Sequence, residues 1–229
     1  REHQLSAWHR HETDGRFESV AKAGDQFEDR VYFTVVRQIE GQDRRYIECM
    51  ETRFFEDQRD AFFVDSGLSH KGELISLLGG LWHLEGKEVA IFADGHVLPR
   101  RLVSNGCVKI DLPASSVSVG LPFEGEIETL ELNAPTERGP ILKQYRRLGR
   151  VFLQVDKTRG IYLANRDGPL EELKERQSEA YGEPNPPMSG LIEVVPSSDW
   201  ARTARVRIVS PDPLPFEVLS IMPEVEIAV

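Results

Sequence analysis

A chain of 229 residues, 40% hydrophobic and 29% charged, can bury one large core or two modest ones, which excludes wholesale disorder. Its formal charge of −10 excludes wrapping a nucleic acid by phosphate neutralisation, yet suits a wall past which DNA slides, because acidic surfaces repel phosphates. No apolar run approaches the roughly 18 residues of a membrane helix, so no membrane span is expected.

Over residues 1–20, Leu5, Trp8, Phe17 and Val20 flank Thr13-Asp14-Gly15, which predicts strand, turn and strand. Residues 30–50 carry the clearest hairpin. Val31, Phe33 and Val35 alternate with Tyr32, Thr34 and Val36, and Glu40-Gly41-Gln42-Asp43 supplies the turn. Residues 54–66 mix acids with Phe54, Phe55, Phe62 and Phe63 and are expected to cross back over the surface. Next come four short strands, 87–92, 96–98, 107–112 and 117–119. Asp94-Gly95 joins the first two as a two-residue hairpin, since glycine takes positive φ at no cost and aspartate tolerates it. Asn105-Gly106 and Leu112-Pro113 punctuate the others, and residues 127–132 are expected to close the group as a small antiparallel barrel.

Residues 134–140 form a turn-rich junction. Residues 141–155 then combine Lys143, Arg146, Arg147 and Arg150 with the alternating Val151, Leu153 and Val155, which predicts a long strand with a basic exposed face. Thr158-Arg159-Gly160 turns it into a strand at 161–164. Residues 170–177 have helical composition but suffice for one or two turns. Proline density makes 182–189 a loop, and strands are expected at 191–195, 204–210 and 217–222. Pro211, Pro213, Pro215 and Pro223 bracket the last, which suits an edge. The fold class is therefore all-β with little helix: a small antiparallel β-barrel (67–133) inserted into or adjoining a larger antiparallel β-sandwich-like domain (1–66 and 134–229).

Residues that could carry chemistry are few, and each has a plainer reading. Cys49 and Cys107 lie in no paired motif and are expected as buried free thiols. His9 and His11 share one face of an extended segment, a metal pair without a third ligand, so packing is preferred. Asp65, Ser66 and His70 have the residue types of a hydrolase triad but no nucleophile elbow, and a turn is the simpler account. Glu171, Glu172 and Glu175 could pair as glycosidase carboxylates, though a solvated helix face is preferred. Gly79-Gly80 lacks the Gly-Lys-Ser/Thr ending of a phosphate loop. Trp8, Trp82 and Trp200 could stack sugars but read first as core or interface anchors. No catalytic, cofactor or metal residue is assigned, and no enzyme activity is expected. The one candidate site is a subunit interface at Lys143, Arg146, Arg147 and Arg150, where the basic strip would meet an acidic neighbour rather than DNA.

The motif order carries a resemblance. Gly-Leu-x-His-Leu-Glu-Gly-Lys-x-Val at 80–89 precedes Ala-Asp-Gly-x-Val at 93–97 and Val-x-Val-Gly-Leu-Pro-Phe at 117–123. Trp8-His9-Arg10-His11, Arg45-Tyr46-Ile47-Glu48, Phe62-Phe63-Val64-Asp65-Ser66-Gly67-Leu68, Thr158-Arg159-Gly160 and Pro213-Leu214-Pro215 flank them. In this order the chain resembles the tail nozzle proteins of short-tailed bacteriophages, also called tail tubular protein B. Members of that family are longer, and the abrupt strand-like start at Arg1 is read as that of a fragment, its C-terminal portion. The resemblance implies a structural protein made in the host cytoplasm and placed in the virion tail. It also implies a homohexameric ring that closes the distal tail, contacts a tail adaptor ring and tail fibre proteins, and passes genomic DNA without specific binding. The alternatives are a β-barrel module that binds a receptor or carbohydrate, and a tail hydrolase.

Overall fold

The computed structural model describes residues 10–24, 29–132, 135–136, 139–140, 144–166, 168–175, 180 and 182–228. Among them the chain is all-β, with five antiparallel sheets and two short 3-10 turns.

The first sheet joins β1 (Arg16–Gly24), β2 (Asp29–Ile39) and β3 (Gln42–Cys49) in that order. Glu40 and Gly41 both take positive φ, the two-residue turn whose twist matches the flanking strands. Only the stretch Val35, Val36 and Arg37 is buried, and β1 is exposed along its whole length. The sheet therefore meets the body at its middle and projects beyond it.

A second sheet has the order β4-β7-β5-β6, with β4 at Asp65–Gly79, β5 at Glu88–Ala93, β6 at His96–Leu102 and β7 at Cys107–Leu121. The strands expected at 107–112 and 117–119 are one strand. Leu112-Pro113 does not end it, because the β4–β7 register slips between the pairs Leu77↔Lys109 and Ile75↔Ala114 and leaves Pro113 in the bulge. A residue without an N–H fits where the ladder is already broken, and the extra length bends the strand. The bend curls the sheet around Leu84, Val89, Ile91, Val108, Ile110 and Val119, yet no pairing joins β6 to β4, so it stays open rather than closing as a barrel. Residues 65–70, expected as a turn, begin β4 instead.

The 80–89 motif closes one end of this curl. Leu81 and Leu84 are buried, and Glu85 accepts the N–H groups of Asn105 (2.9 Å) and Gly106 (2.7 Å). The Trp82 ring lies so close over Gly106 that a Cβ there would meet it at 2.5 Å. At the other hairpin, the Asp94 carboxylate takes N–H bonds from Ser116 (2.8 Å) and Ser115 (3.1 Å) and the Ser115 hydroxyl bond. Burial alone would raise its pKa, but these donors outweigh burial and hold it below the usual aspartate value. The stability it adds is thus present above the ordinary aspartate pKa of about 3.9 and fades as pH falls through the lower folded value. Asp94→Ala should cost about 1–2 kcal/mol at neutral pH, because charge-assisted bonds are lost, and should remove this part of the acid sensitivity. Urea titrations at neutral pH and at pH 3 check both; an unchanged slope with pH would count against it.

The remaining strands form a two-layer sandwich. One layer has the order β13-β12-β15-β8, with β8 at Gly125–Glu128, β12 at Tyr162–Asn165, β13 at Glu171–Glu172 and β15 at Val206–Ser210. The other is β14-β11-β16, with β11 at Arg146–Thr158, β14 at Met188–Val194 and β16 at Val218–Ile227. Leu148, Val151, Leu153, Val155, Leu163 and Ile208 form the core between them. A minor hairpin links β9 (Pro135–Thr136) to β10 (Gly139–Pro140).

Two expectations change here. Ile127 does not close the first unit: it lies in β8 opposite Ile208, where Glu126 and Glu128 pair with Arg207 and Arg205. Cross-strand charge pairs and a shared apolar core draw the segment to β15. Residues 170–175 are not helical. Glu171 and Glu172 extend the β12 edge, and Leu173 is buried with its N–H on the Ile161 carbonyl. A helix this short cannot hold itself together against such anchoring; residues 176–177 of that expectation lie outside the described residues. The expected edge position of the last strand is found, with Pro223 beside a register slip in β16.

Candidate functional site

Strand β11 carries the basic strip, and a bulge decides which way its side chains point. The pairing with β16 slips between Leu148↔Val225 and Val151↔Pro223. Simple alternation back from Val151 would turn Arg146 and Arg150 outward together; the extra residue reverses the phase, so Arg146 joins Leu148 on the inner face while Arg147 and Arg150 face out. Arg146 is fully buried and ion-paired with Glu131, and its backbone pairs with Ala201. The expected continuous basic face is corrected accordingly: a buried guanidinium is part of the interior. Lys143 lies outside the described residues.

The two outward arginines are spent within the chain. Arg147 reaches Glu226 at 3.0 Å and lies 5.8 Å from the centre of the Trp200 ring. Arg150 meets Glu224 at 3.0 Å and Glu193 at 3.4 Å. Two cations thus face three carboxylates across adjacent strands, which leaves no positive surplus for a phosphate or for an acidic subunit. Between them lies a shallow depression lined by Leu148, Gly149, Val195, Pro196, Ser198 and Val225.

Beyond the charges the outer face turns apolar. Phe152 sits between Glu193 and Met222 in register, and Leu191 pairs with Gln154. Leu191, Val195 and Met222 are exposed, the first two at 60% and 65%. The sequence contained the signal, since Leu191, Glu193 and Val195 share one face of an alternating strand, but nothing in it says which face is outward.

The other sequence candidates do not converge. Asp65 accepts from Thr13 Oγ1 (2.7 Å), Ser66 Oγ donates to Glu48 (3.2 Å), and His70 Nε2 lies 2.9 Å from the Glu73 carbonyl. Asp65 and Ser66 join one cluster around Arg37 and Glu48 while His70 bonds elsewhere, which makes no triad. Glu171 accepts the Ser197 N–H and Glu175 the Gly160 N–H, so these carboxylates serve backbone groups and do not form a solvated helix face. Cys49 is exposed and Cys107 half-buried, a correction for both thiols expected inside. His11 is exposed, while His9 and Trp8 lie outside the described residues. Among the described residues no group of His, Cys, Asp and Glu could hold a metal ion, and no helix is long and apolar enough to cross a membrane.

Set beside known proteins, the chain matches no family model. A search of curated proteins gives no match either.

Proposed function

We propose that the chain is a structural component of a short-tailed bacteriophage tail, part of a nozzle ring through which the genome leaves. The carrying observation is the outward face of β14, β11 and β16, an apolar patch beside charges already satisfied within the chain. The ordered motifs of 80–123 and the all-β body support the same reading. A self-neutralised, partly apolar sheet face suits a contact between copies better than a nucleic-acid groove, and heterologous contacts close a ring when the rotation is right. The expected occupant is therefore a neighbouring subunit, with DNA passing unbound.

Negative-stain images of the full-length protein should show a six-fold ring; monomers alone would overturn the reading. Leu191→Asp with Met222→Asp should abolish assembly while leaving the melting temperature of the chain nearly unchanged, since both side chains are exposed. Assembly should survive 0.5 M salt, because screening acts on exposed charge pairs and not on apolar area. The carbohydrate-binding alternative draws on Trp82, 65% exposed at the end of the curled sheet. Glycan-array binding lost in Trp82→Ala would favour it.

A further inference from the structure

The curled sheet and the sandwich meet over a small surface. Its buried apolar part is Ala61, Phe92 and Leu214, with Phe55, Phe63 and Val97 around them. Beside this patch the Asp94-Gly95 tip of the β5–β6 hairpin reaches the Thr158-Arg159-Gly160 turn between β11 and β12. Arg159 Nη1 donates to the Gly95 carbonyl at 2.8 Å and to Gln58 Oε1 at 3.2 Å.

Arg159 is 6% exposed, and its Nε has no hydrogen-bond partner. Glu175 Oε2 lies 3.8 Å from that Nε, beyond hydrogen-bonding reach, and Glu175 Oε1 is occupied by the Gly160 N–H. Burial lowers the pKa of the guanidinium, against a smaller opposing pull from Glu175. Removing an ion from water is strongly unfavourable and is repaid only by close, well-formed pairing. Here the cation has two neutral acceptors and one detached carboxylate, so desolvation wins. A neutral pair of similar size at positions 159 and 175 is expected to hold this contact more tightly than the arginine and glutamate do. Small interfaces between separately cored units also leave relative motion as the default.

We propose that this junction is a metastable latch, in which Arg159 weakens the closed contact so that the curled sheet and the sandwich part at the hairpin tip while each keeps its own core. The latch is independent of the tail reading, and its test needs no assembly.

A structural ion pair and a latch predict different signs. Arg159→Met with Glu175→Gln removes both buried charges and should close the latch further; Glu175→Gln alone leaves the Arg159 charge without any counter-charge and should open it. The readout is thiol labelling of Ala61→Cys, which is covered only while the junction is closed, in a Cys49→Ser, Cys107→Ser background of the full chain. Labelling should slow roughly tenfold in the double variant and quicken roughly tenfold in Glu175→Gln alone, the scale expected for an uncompensated buried charge acting on a local opening. Ala164→Cys, buried at the sandwich strand β12, serves as the control and should label at an unaltered rate. Faster Ala61→Cys labelling in both variants would make the contact an ordinary ion pair and overturn the latch. So would rates that do not change, or acceleration at both cysteines in the double variant.

Discussion

Replacing Gly120 by valine is expected to cost about 3 kcal/mol or more, a fall in melting temperature of roughly 6–12 °C for a chain of this size. A Cβ at Gly120 would stand 2.6 Å from the Asp65 carbonyl, 2.7 Å from the Gly67 Cα and 2.8 Å from Val64 Cγ2. Gly67 is in the same position, with a Cβ 2.7 Å from the Val119 carbonyl. Strands β4 and β7 therefore pass one another with two facing glycines, at a separation neither could keep with a side chain. Two of the intruded atoms are backbone, so the usual relief of swinging a flexible side chain aside does not exist. The neighbouring Val119 is fully buried in the curled core, so displaced strands would open that core as well. Thermal denaturation followed by circular dichroism measures the loss, and a melting point equal to wild type would refute the close-approach account.

Arg37→Met should be nearly as damaging, at about 3 kcal/mol, because it breaks a buried ion pair and strands its partners. Arg37 is 3% exposed; its Nε and Nη2 hold both Glu48 oxygens at 2.6 and 2.7 Å, and Nη1 bonds the Asp14 carbonyl at 2.8 Å. Asp65, at 3.5 Å, brings β4 into the same cluster. One guanidinium thus ties β2, β3, the segment before β1 and the start of the curled sheet. Glu48 and Asp65 are about a fifth exposed, so water relieves part of the penalty, which sets the figure at the low end of the range for buried pairs. Adding Glu48→Gln should recover part of the loss, and the double-mutant coupling separates the stranded charge from the missing hydrogen bonds. If the double variant is as unstable as the sum of the singles, the carboxylate was never stranded.

These two sites also show what could be read from residues alone. The hairpins at Glu40-Gly41, Asp94-Gly95 and Asn105-Gly106 were legible because φ > 0 is a local demand that few residue types meet. The alternation of Val151, Leu153 and Val155 was legible for the same reason, since a pleat has period two. What failed were pairings and phases set by a neighbouring strand. The bulge after Leu148 inverts the phase of Arg146, the β8 segment leaves its chain neighbours for β15, and Glu171–Glu172 becomes a ladder instead of a helical turn. The first two depend on partner strands about 80 residues away and the third on the exposed edge of β12 eight to ten residues back, none of which composition and period encode. The basic strip changed most. Its four cations read as an exposed strip, whereas the pairing of β11 with β14 and β16 buries one and neutralises two, and the apolar neighbours that replace them come from strands 40 to 70 residues later.

The late pairing of the sandwich has a consequence for how the chain acquires its shape as it is made. Strand β8 pairs Ile127 with Ile208, and β11 pairs Arg146 with Ile227, so neither layer is complete until about 80 further residues have been synthesised. The curled sheet, by contrast, draws β4 to β7 from residues 65–121 alone. Loop-closure entropy must be met before distant strands reward it, and domains made first fold first. A nascent chain halted near residue 200 would then carry a finished curled sheet followed by β8 without its partner and β11 paired with β14 on one edge only, an arrangement open to pairing with a neighbour on the same message. Copies emerging side by side would meet with β8 and the outer edge of β11 still unpaired.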